Sequence, residues 1–344
     1  MMLCLLLVPW RASAQTDALL AIYHSRADLQ TVFDPVTLRA ISGSGAGVLL
    51  DLQDWAAQYG WKEYPPLRSF GPVPGTAIPR RINSREVESI IGSQAYAVID
   101  RATGTVLTVK RERLVWPIAS MTKLITASIV MDQGIRLDQM ADVRNNDDVG
   151  GAKLYVNNGD QFTVNDLLYA ALVASANNAA NALSRTTGMN RKDFVSVMNA
   201  RAQALNLSQT HFVDPTGIEL GNVSTPLEFA RLAADAFSRN SIQQVTTTAT
   251  RLIRVANTGV SKKMINTNWM LWKPRYDDVW VTGGKTGYLD ESGWNVVESI
   301  KPDKNDEREL LIVLFGARSR VESFDDAKRL ADWAWGVYRW EKSS

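Results

Sequence analysis

The apolar rhythm of this chain changes twice, and few folds accommodate such a change. Tyr96–Asp100 and Thr105–Val109 alternate with the two-residue period of strands, joined across the tight turn Ala102-Thr103-Gly104. From Ser120 the period becomes helical. Ser120–Met131 ends at Gly134; Thr163-Val164-Asn165-Asp166 is a capping-box-like start for Leu167–Val173; an Ala-rich run reaches Arg185; Asn190–Leu205 and Thr225–Phe237 come next. Strand patterning returns from Ile242, in Thr250–Val255, Trp280–Gly284, Gly293–Ser299 and Leu310–Gly316, before a last helical run over Phe324–Trp340. A helical middle set between two strand-rich parts predicts an α/β fold with an inserted all-α subdomain, over about residues 140–240.

The first part of the chain reads differently. Met1–Ala14 (MMLCLLLVPWRASA) is an apolar run ending in the small-x-small pattern Ala12-Ser13-Ala14, which predicts a signal peptide at 1–14 and export. The single cysteine, Cys4, lies inside it, so the mature chain would hold neither disulfides nor thiolate metal sites. Residues 15–88 read as a helical extension and a proline-rich linker: Thr16–Phe33 and Leu49–Tyr59 have helical spacing, and Pro65, Pro66, Pro72, Pro74 and Pro79 crowd the stretch after them. Trp55, Tyr59, Trp61 and Tyr64 suit packing onto the main domain better than stacking on sugars. The catalytic domain is expected at 89–344. Lys plus Arg total 38 against 36 acids, so no net field recruits nucleic acid or an anionic membrane. No later stretch approaches the roughly 18 apolar residues of a membrane span, and no transmembrane anchor is expected in the mature chain.

Three short motifs carry the chemistry. Ser120-Met121-Thr122-Lys123, Ser175-Ala176-Asn177 and Lys285-Thr286-Gly287 together offer two hydroxyls, two amines and a side-chain amide, a set that can attack an acyl group without histidine. Ser120 and Lys123 stand one turn apart on one helix face. Backbone N–H groups of a first helical turn lie near Ser120, where an oxyanion would meet the positive end of the helix. Lys123 can accept the serine proton only when neutral, and an ordinary lysine at about 10.4 is not. Burial or a nearby cation is required, and Lys285 is the candidate cation. Ser175 can relay a proton toward a leaving amine, and Asn177 can hold a substrate carbonyl and Lys123. Gly283, Gly284 and Gly287 around Lys285 and Thr286 suit close approach of an extended anionic substrate along an edge strand.

With their flanks these motifs resemble the low-molecular-mass penicillin-binding proteins of the D-alanyl-D-alanine carboxypeptidase and endopeptidase type. Pro117–Leu124, Leu172–Ala180 and Gly283–Tyr288 carry the resemblance, with His211-Phe212-Val213-Asp214-Pro215-Thr216-Gly217 and Asn266-Thr267-Asn268 between them. The resemblance implies a β-lactamase/penicillin-binding-protein-like antiparallel sheet flanked by helices. It also implies a serine D,D-peptidase acting on peptidoglycan stem peptides, with β-lactam antibiotics as covalent inhibitors and no cofactor or metal. By motif position Ser120 is the implied nucleophile and Lys123 its general base. Ser175 and Asn177 are the implied relay and substrate-holding pair. Lys285 and Thr286 would anchor a terminal carboxylate, and the backbone N–H groups of Ser120 and Tyr288 would form the oxyanion hole. Arg318 reads as a surface arginine rather than a further anchor.

The sequence ends soon after its last helical run, without the extra β-rich domain and amphipathic anchor of many such carboxypeptidases. That resembles the endopeptidase subgroup and leads to an expected periplasmic or extracellular location. Between the second and third motifs there is no Glu-x-x-Leu-Asn to supply a deacylating glutamate, which favours a peptidase over a serine β-lactamase. A non-catalytic peptidoglycan-binding relative would have no need of both amines. The two histidines, His24 and His211, lack a Gly-x-Ser-x-Gly elbow and cannot build a zinc site.

Overall fold

The computed structural model describes residues 77–87 and 91–342. The expected signal peptide, the two N-terminal helices, the aromatic residues Trp55 to Tyr64, Cys4, His24 and the prolines before Pro79 lie outside the described residues. β1 (Ala77–Arg81) is followed by the hairpin β2 (Ala95–Asp100) and β3 (Val106–Lys110). A 3₁₀ turn over Ala119–Thr122 leads into α1 (Lys123–Asp132). The short hairpin β4 (Met140–Val143) and β5 (Asp160–Thr163) precedes α2 (Val164–Leu172), α3 (Asn177–Thr186), α4 (Arg191–Ala204), α5 (Pro226–Ala236) and α6 (Asn240–Thr246). A second hairpin, β6 (Thr250–Arg254) and β7 (Ser261–Ile265), leads to β8 (Trp280–Leu289), β9 (Gly293–Lys301) and β10 (Leu310–Ala317). α7 (Arg320–Val337) and β11 (Tyr338–Lys342) end the described chain.

The main sheet is antiparallel, in the order β8-β9-β10-β2-β3. Its two ends come from opposite sides of the helical segment, which explains the double change of period. Every residue of β10 is buried, because the strand is central and covered on both faces. Val98, Val296, Ile300, Leu310, Ile312 and Leu314 share one face and pack against Phe324, Leu330, Ala331 and Val337 of α7. The other face meets α5, which packs on β2 and β10. β8 is left at the edge, where the site lies.

Caps define the helix starts. Thr163 accepts from Asp166 N at the start of α2, Thr225 from Glu228 N with Pro226 in the first turn of α5, and Ser319 from Glu322 N at α7. Five expectations are corrected. The end of the expected linker, Ala77–Arg81, is a strand of the same unit, paired with β11. The segment expected to be all-α over about 140–240 opens with the hairpin β4–β5. Strand patterning does not resume at Ile242; Asn240–Thr246 is helical, with Ile242 and Val245 buried on one side. Ser120 sits in the 3₁₀ turn, and the α-helix proper begins at Lys123. The last helix stops at Val337, and Tyr338–Lys342 pairs instead with β1. The expected helical run extends to Trp340, but Tyr338 Oη donates to the Leu107 carbonyl (2.8 Å) and Trp340 Nε1 to Asp100 Oδ1 (2.7 Å). These bonds favour the extended conformation. Among the described residues no helix is long and apolar enough to cross a membrane.

Phe324 joins α7 to the loop that carries Trp269 and Tyr276. It is fully buried, stacked on Trp269 (centroids 6.1 Å apart) and tilted against Tyr276 (5.9 Å). Phe324→Ala should cost about 3–5 kcal/mol in urea unfolding; a loss below about 1 kcal/mol would contradict this packing.

Candidate active site

Ser120 is presented by a constrained backbone. Ala119, immediately before it, has φ +50°, a left-handed conformation that costs a non-glycine residue energy and persists only where the surroundings impose it. Two glycines let neighbouring chain impose it here. Gly217, itself at φ +83°, lies so close that a Cβ would sit 1.9 Å from the Ala119 carbonyl oxygen. At Gly287 of β8 a Cβ would sit 2.5 Å from the Ile118 carbonyl oxygen and 3.1 Å from Ala119 Cβ. A close approach at Gly287 is made by the protein's own Ile118–Ala119 segment, because β8 packs directly on the turn bearing Ser120.

Lys123 begins α1, a helix buried from Lys123 to Val130. Its side chain is 1% exposed. Nζ donates to Asn177 Oδ1 (2.7 Å) and to the Thr216 carbonyl (2.7 Å), and lies 2.8 Å from Ser120 Oγ. The Thr216 carbonyl is aimed by Asp214, a fully buried carboxylate. Asp214 accepts from Thr216 N (2.6 Å), Thr216 Oγ1 (2.6 Å), Gly217 N (2.8 Å), Glu219 N (3.0 Å) and Asn222 Nδ2 (2.6 Å).

Asn177 is the first residue of α3, and Ser175 lies in the turn after α2 with φ +59°. The turn is pinned where Ala176 N donates to the Ala170 carbonyl (3.0 Å). Asn177 N donates to the Ala152 carbonyl (2.7 Å) and its Nδ2 to that of Gly150 (2.7 Å). With Nδ2 so occupied, Oδ1 is turned to Lys123. From β8, Lys285 Nζ donates to Ser175 Oγ (2.9 Å) and to the Thr286 carbonyl (2.9 Å), and Thr286 Oγ1 donates to Thr267 Oγ1 (2.7 Å).

The geometry thus gathers Ser120, Lys123 and Asn177 into one hydrogen-bonded group and Lys285, Ser175 and Thr286 into a second. Lys285 bonds the Ser175 hydroxyl rather than that of Ser120. The Tyr288 ring is stacked on Trp294 (4.4 Å) with its hydroxyl on Asp290 (2.5 Å).

Burial pushes the Lys123 amine well below the usual lysine range; the Lys285 charge adds to this and Asp214 opposes it. Burial, reinforced by Arg320, lowers Lys285 to about 7. The sequence offered Lys285 as the candidate cation for Lys123, but desolvation is the larger cause.

Arg320 is the residue that sequence reasoning missed. Its guanidinium lies 4.5 Å from the Trp294 ring and 5.2 Å from that of Trp269, and its Nε is buried with no partner among the described residues. Arg318, by contrast, is 81% exposed and paired with Glu322, the surface arginine expected. No periodic signal separates the two; only the start of α7 turns Arg320 inward. Asp214, Thr216 and Thr267 were visible as parts of flanking motifs, without roles.

A family-wide sequence profile, that of the S11 peptidases described as D-alanyl-D-alanine carboxypeptidase, matches residues 82–319. The chain belongs to this family. It is 30% identical over 267 residues to the D-alanyl-D-alanine endopeptidase of Pseudomonas aeruginosa, covering 77% of this chain and 82% of that one. With D-alanyl-D-alanine carboxypeptidase DacF of Bacillus subtilis it is 29% identical over 280 residues, or 79% and 69% of the two chains. The fold is that of a mutant of the Streptomyces K15 DD-transpeptidase, with TM-score 0.65 and 25% identity over 73% of this chain and 100% of that one. The protein is a serine-type D,D-peptidase with the penicillin-binding-protein fold.

Gly287→Ala should displace β8 from the Ser120 turn. At least about a tenfold loss of D,D-peptidase turnover is expected, read by chromatography of muropeptide products, because small misplacements of reacting groups are costly. Full activity would show that the contact with Ile118 is not needed.

Proposed function

We propose that this peptidase cleaves the D-Ala-D-Ala terminus or the D-alanine cross-links of peptidoglycan stem peptides through an acyl-enzyme on Ser120. The surroundings of Lys123 Nζ carry the reading. A neutral amine has two N–H donors and one lone pair. Asn177 Oδ1 and the Thr216 carbonyl take the two donors, so the lone pair is left for the Ser120 hydroxyl. Ser120 Oγ attacks the D-alanyl carbonyl carbon as its proton passes to Lys123. The backbone N–H groups of Ser120 and Tyr288 are assigned to the developing oxyanion. The Ser175 hydroxyl, facing Lys285, relays a proton to the departing amine. Water then hydrolyses the ester.

Lys285, Thr286 and Arg320 are assigned to the carboxylate beyond the scissile bond. Arg320 brings a half-buried cation without a carboxylate partner among the described residues, beside a lysine whose charge it disfavours. A bound carboxylate would relieve both. Relatives named endopeptidase, in Pseudomonas aeruginosa and Escherichia coli at 30% identity, support the cross-link as the substrate bond. Met1–Ala14 supports a location outside the cytoplasm, where peptidoglycan is. The same ester would form with penicillin.

Ser120→Ala should abolish labelling by a fluorescent penicillin; a variant that still labels would remove Ser120 from the nucleophile role. Lys123→Ala should slow acylation by about 10²–10⁴-fold. The pH profile has a definite sign: protonation removes the lone pair, so acylation falls on the acid side, and a profile flat from about pH 5 to pH 9 would rule out a titrating base.

A further inference from the structure

Glu298 is an unusual residue to find behind the Lys285 strand. It stands opposite Gly284 in the β8–β9 pairing and is fully buried. No cation faces it. Its Oε2 accepts from Asn268 Nδ2 (2.8 Å), and Oε1 has no partner among the described residues. Burial pushes its carboxyl well above the usual range, which favours the uncharged form.

The contact requires a special gap. A Cβ on Gly284 would sit 2.5 Å from Glu298 Oε2 and 2.5 Å from Asn268 Nδ2. The glycine before Lys285 therefore leaves room for this hydrogen bond, a use of glycine that differs from approach by substrate. Gly284 and Thr286, two positions apart in β8, face the same side of the sheet. Along that side runs the strap Asn266-Thr267-Asn268. Asn266 Nδ2 donates to the Thr246 (3.0 Å) and Thr248 (2.9 Å) carbonyls, and its Oδ1 accepts from Asn268 N (2.9 Å). Asn268 Oδ1 accepts from Met270 N (2.9 Å), so its Nδ2 is the end turned to Glu298. Between these anchors Thr267 N donates to the Val173 carbonyl (3.0 Å), two residues before Ser175, and Thr267 Oγ1 accepts from Thr286.

We propose that Glu298 is a positioning residue for the carboxylate end of the substrate: through Asn268 it fixes the strap so that Thr267 and Thr286 present their hydroxyls as one pair. The proposal rests on the carboxylate-anchor assignment of Lys285 and Thr286 given above. Apolar side chains at 284 and 298 would fill the same space, but they would leave the strap without its bond to β9. In the uncharged form that burial favours, Glu298 makes that bond without adding an anion behind Lys285. A charge there would oppose the role of Lys285 toward an anionic ligand.

Single-turnover kinetics on an N-acylated D-alanyl-D-lactate ester test this on the full chain. Acylation expels the carboxylate-bearing hydroxy acid; deacylation proceeds from an ester that no longer carries it. Glu298→Ala should slow acylation about tenfold while deacylation stays within about twofold, the scale expected for a buried amide left unpaired. Glu298→Gln, whose side-chain carbonyl can accept from Asn268, should restore acylation. Gly284→Ala should reproduce the defect and serves if Glu298→Ala does not fold. Thr286→Val separates the two readings. If it slows acylation while Glu298→Ala and Gly284→Ala do not, the anchor stands and the proposal fails. If Thr286→Val has no effect, the anchor and the proposal fail together. Equal slowing of both steps in Glu298→Ala, or no rescue by Gln, also overturns it.

Discussion

Withholding water from one amine is the constraint on which the rest of this site depends. Lys123 begins a helix whose next seven residues are buried, and no carboxylate among the described residues bonds its nitrogen. Desolvation disfavours the ammonium more than any single charge nearby does. Burial acts the same way at Lys285, lowering it to about 7. Two desolvated amines can persist only in a scaffold that surrounds both with fixed acceptors.

Much of the molecule is arranged around that requirement. Asp214 gathers five donors so that the Thr216 carbonyl points at Lys123, and Gly217 allows the same loop to press on Ala119. Gly287 brings the edge strand against Ile118 from the other side. The strained Ala119 and Ser175 lie where these elements converge, each beside a group that a reaction would use. Placing β8 at the sheet edge leaves its Lys285-Thr286 segment facing the Ser175 turn.

What could be read from the sequence was local. Ser120 and Lys123 are three residues apart, and helical spacing alone puts them together. The change of period placed strand-rich parts on either side of a helical insert; that the sheet is antiparallel was implied by the motif resemblance. Contacts set by packing were not legible. Ser175 and Lys285 meet across 110 residues, and only the motif resemblance paired them. The contact of Gly287 with Ile118 was not legible because a glycine reports a close approach without saying by what. Arg320 and Arg318 differ by two positions and look alike in sequence; the cap at Ser319 and the first turn of α7 send one inward and the other to solvent. Burial as the main cause of the Lys123 shift needed the packed neighbours of α1, which no spacing rule supplies.

The protonation state of Lys123 in the free protein is the most direct measurement. Protein carrying ¹³C at the lysine ε-carbons can be titrated by NMR, with the Lys123 signal assigned by its absence in Lys123→Arg. A midpoint well below the ordinary lysine value of about 10.4 is expected, leaving a lone pair available near neutral pH. A midpoint alongside the surface lysines would contradict it and leave Ser120 without its base.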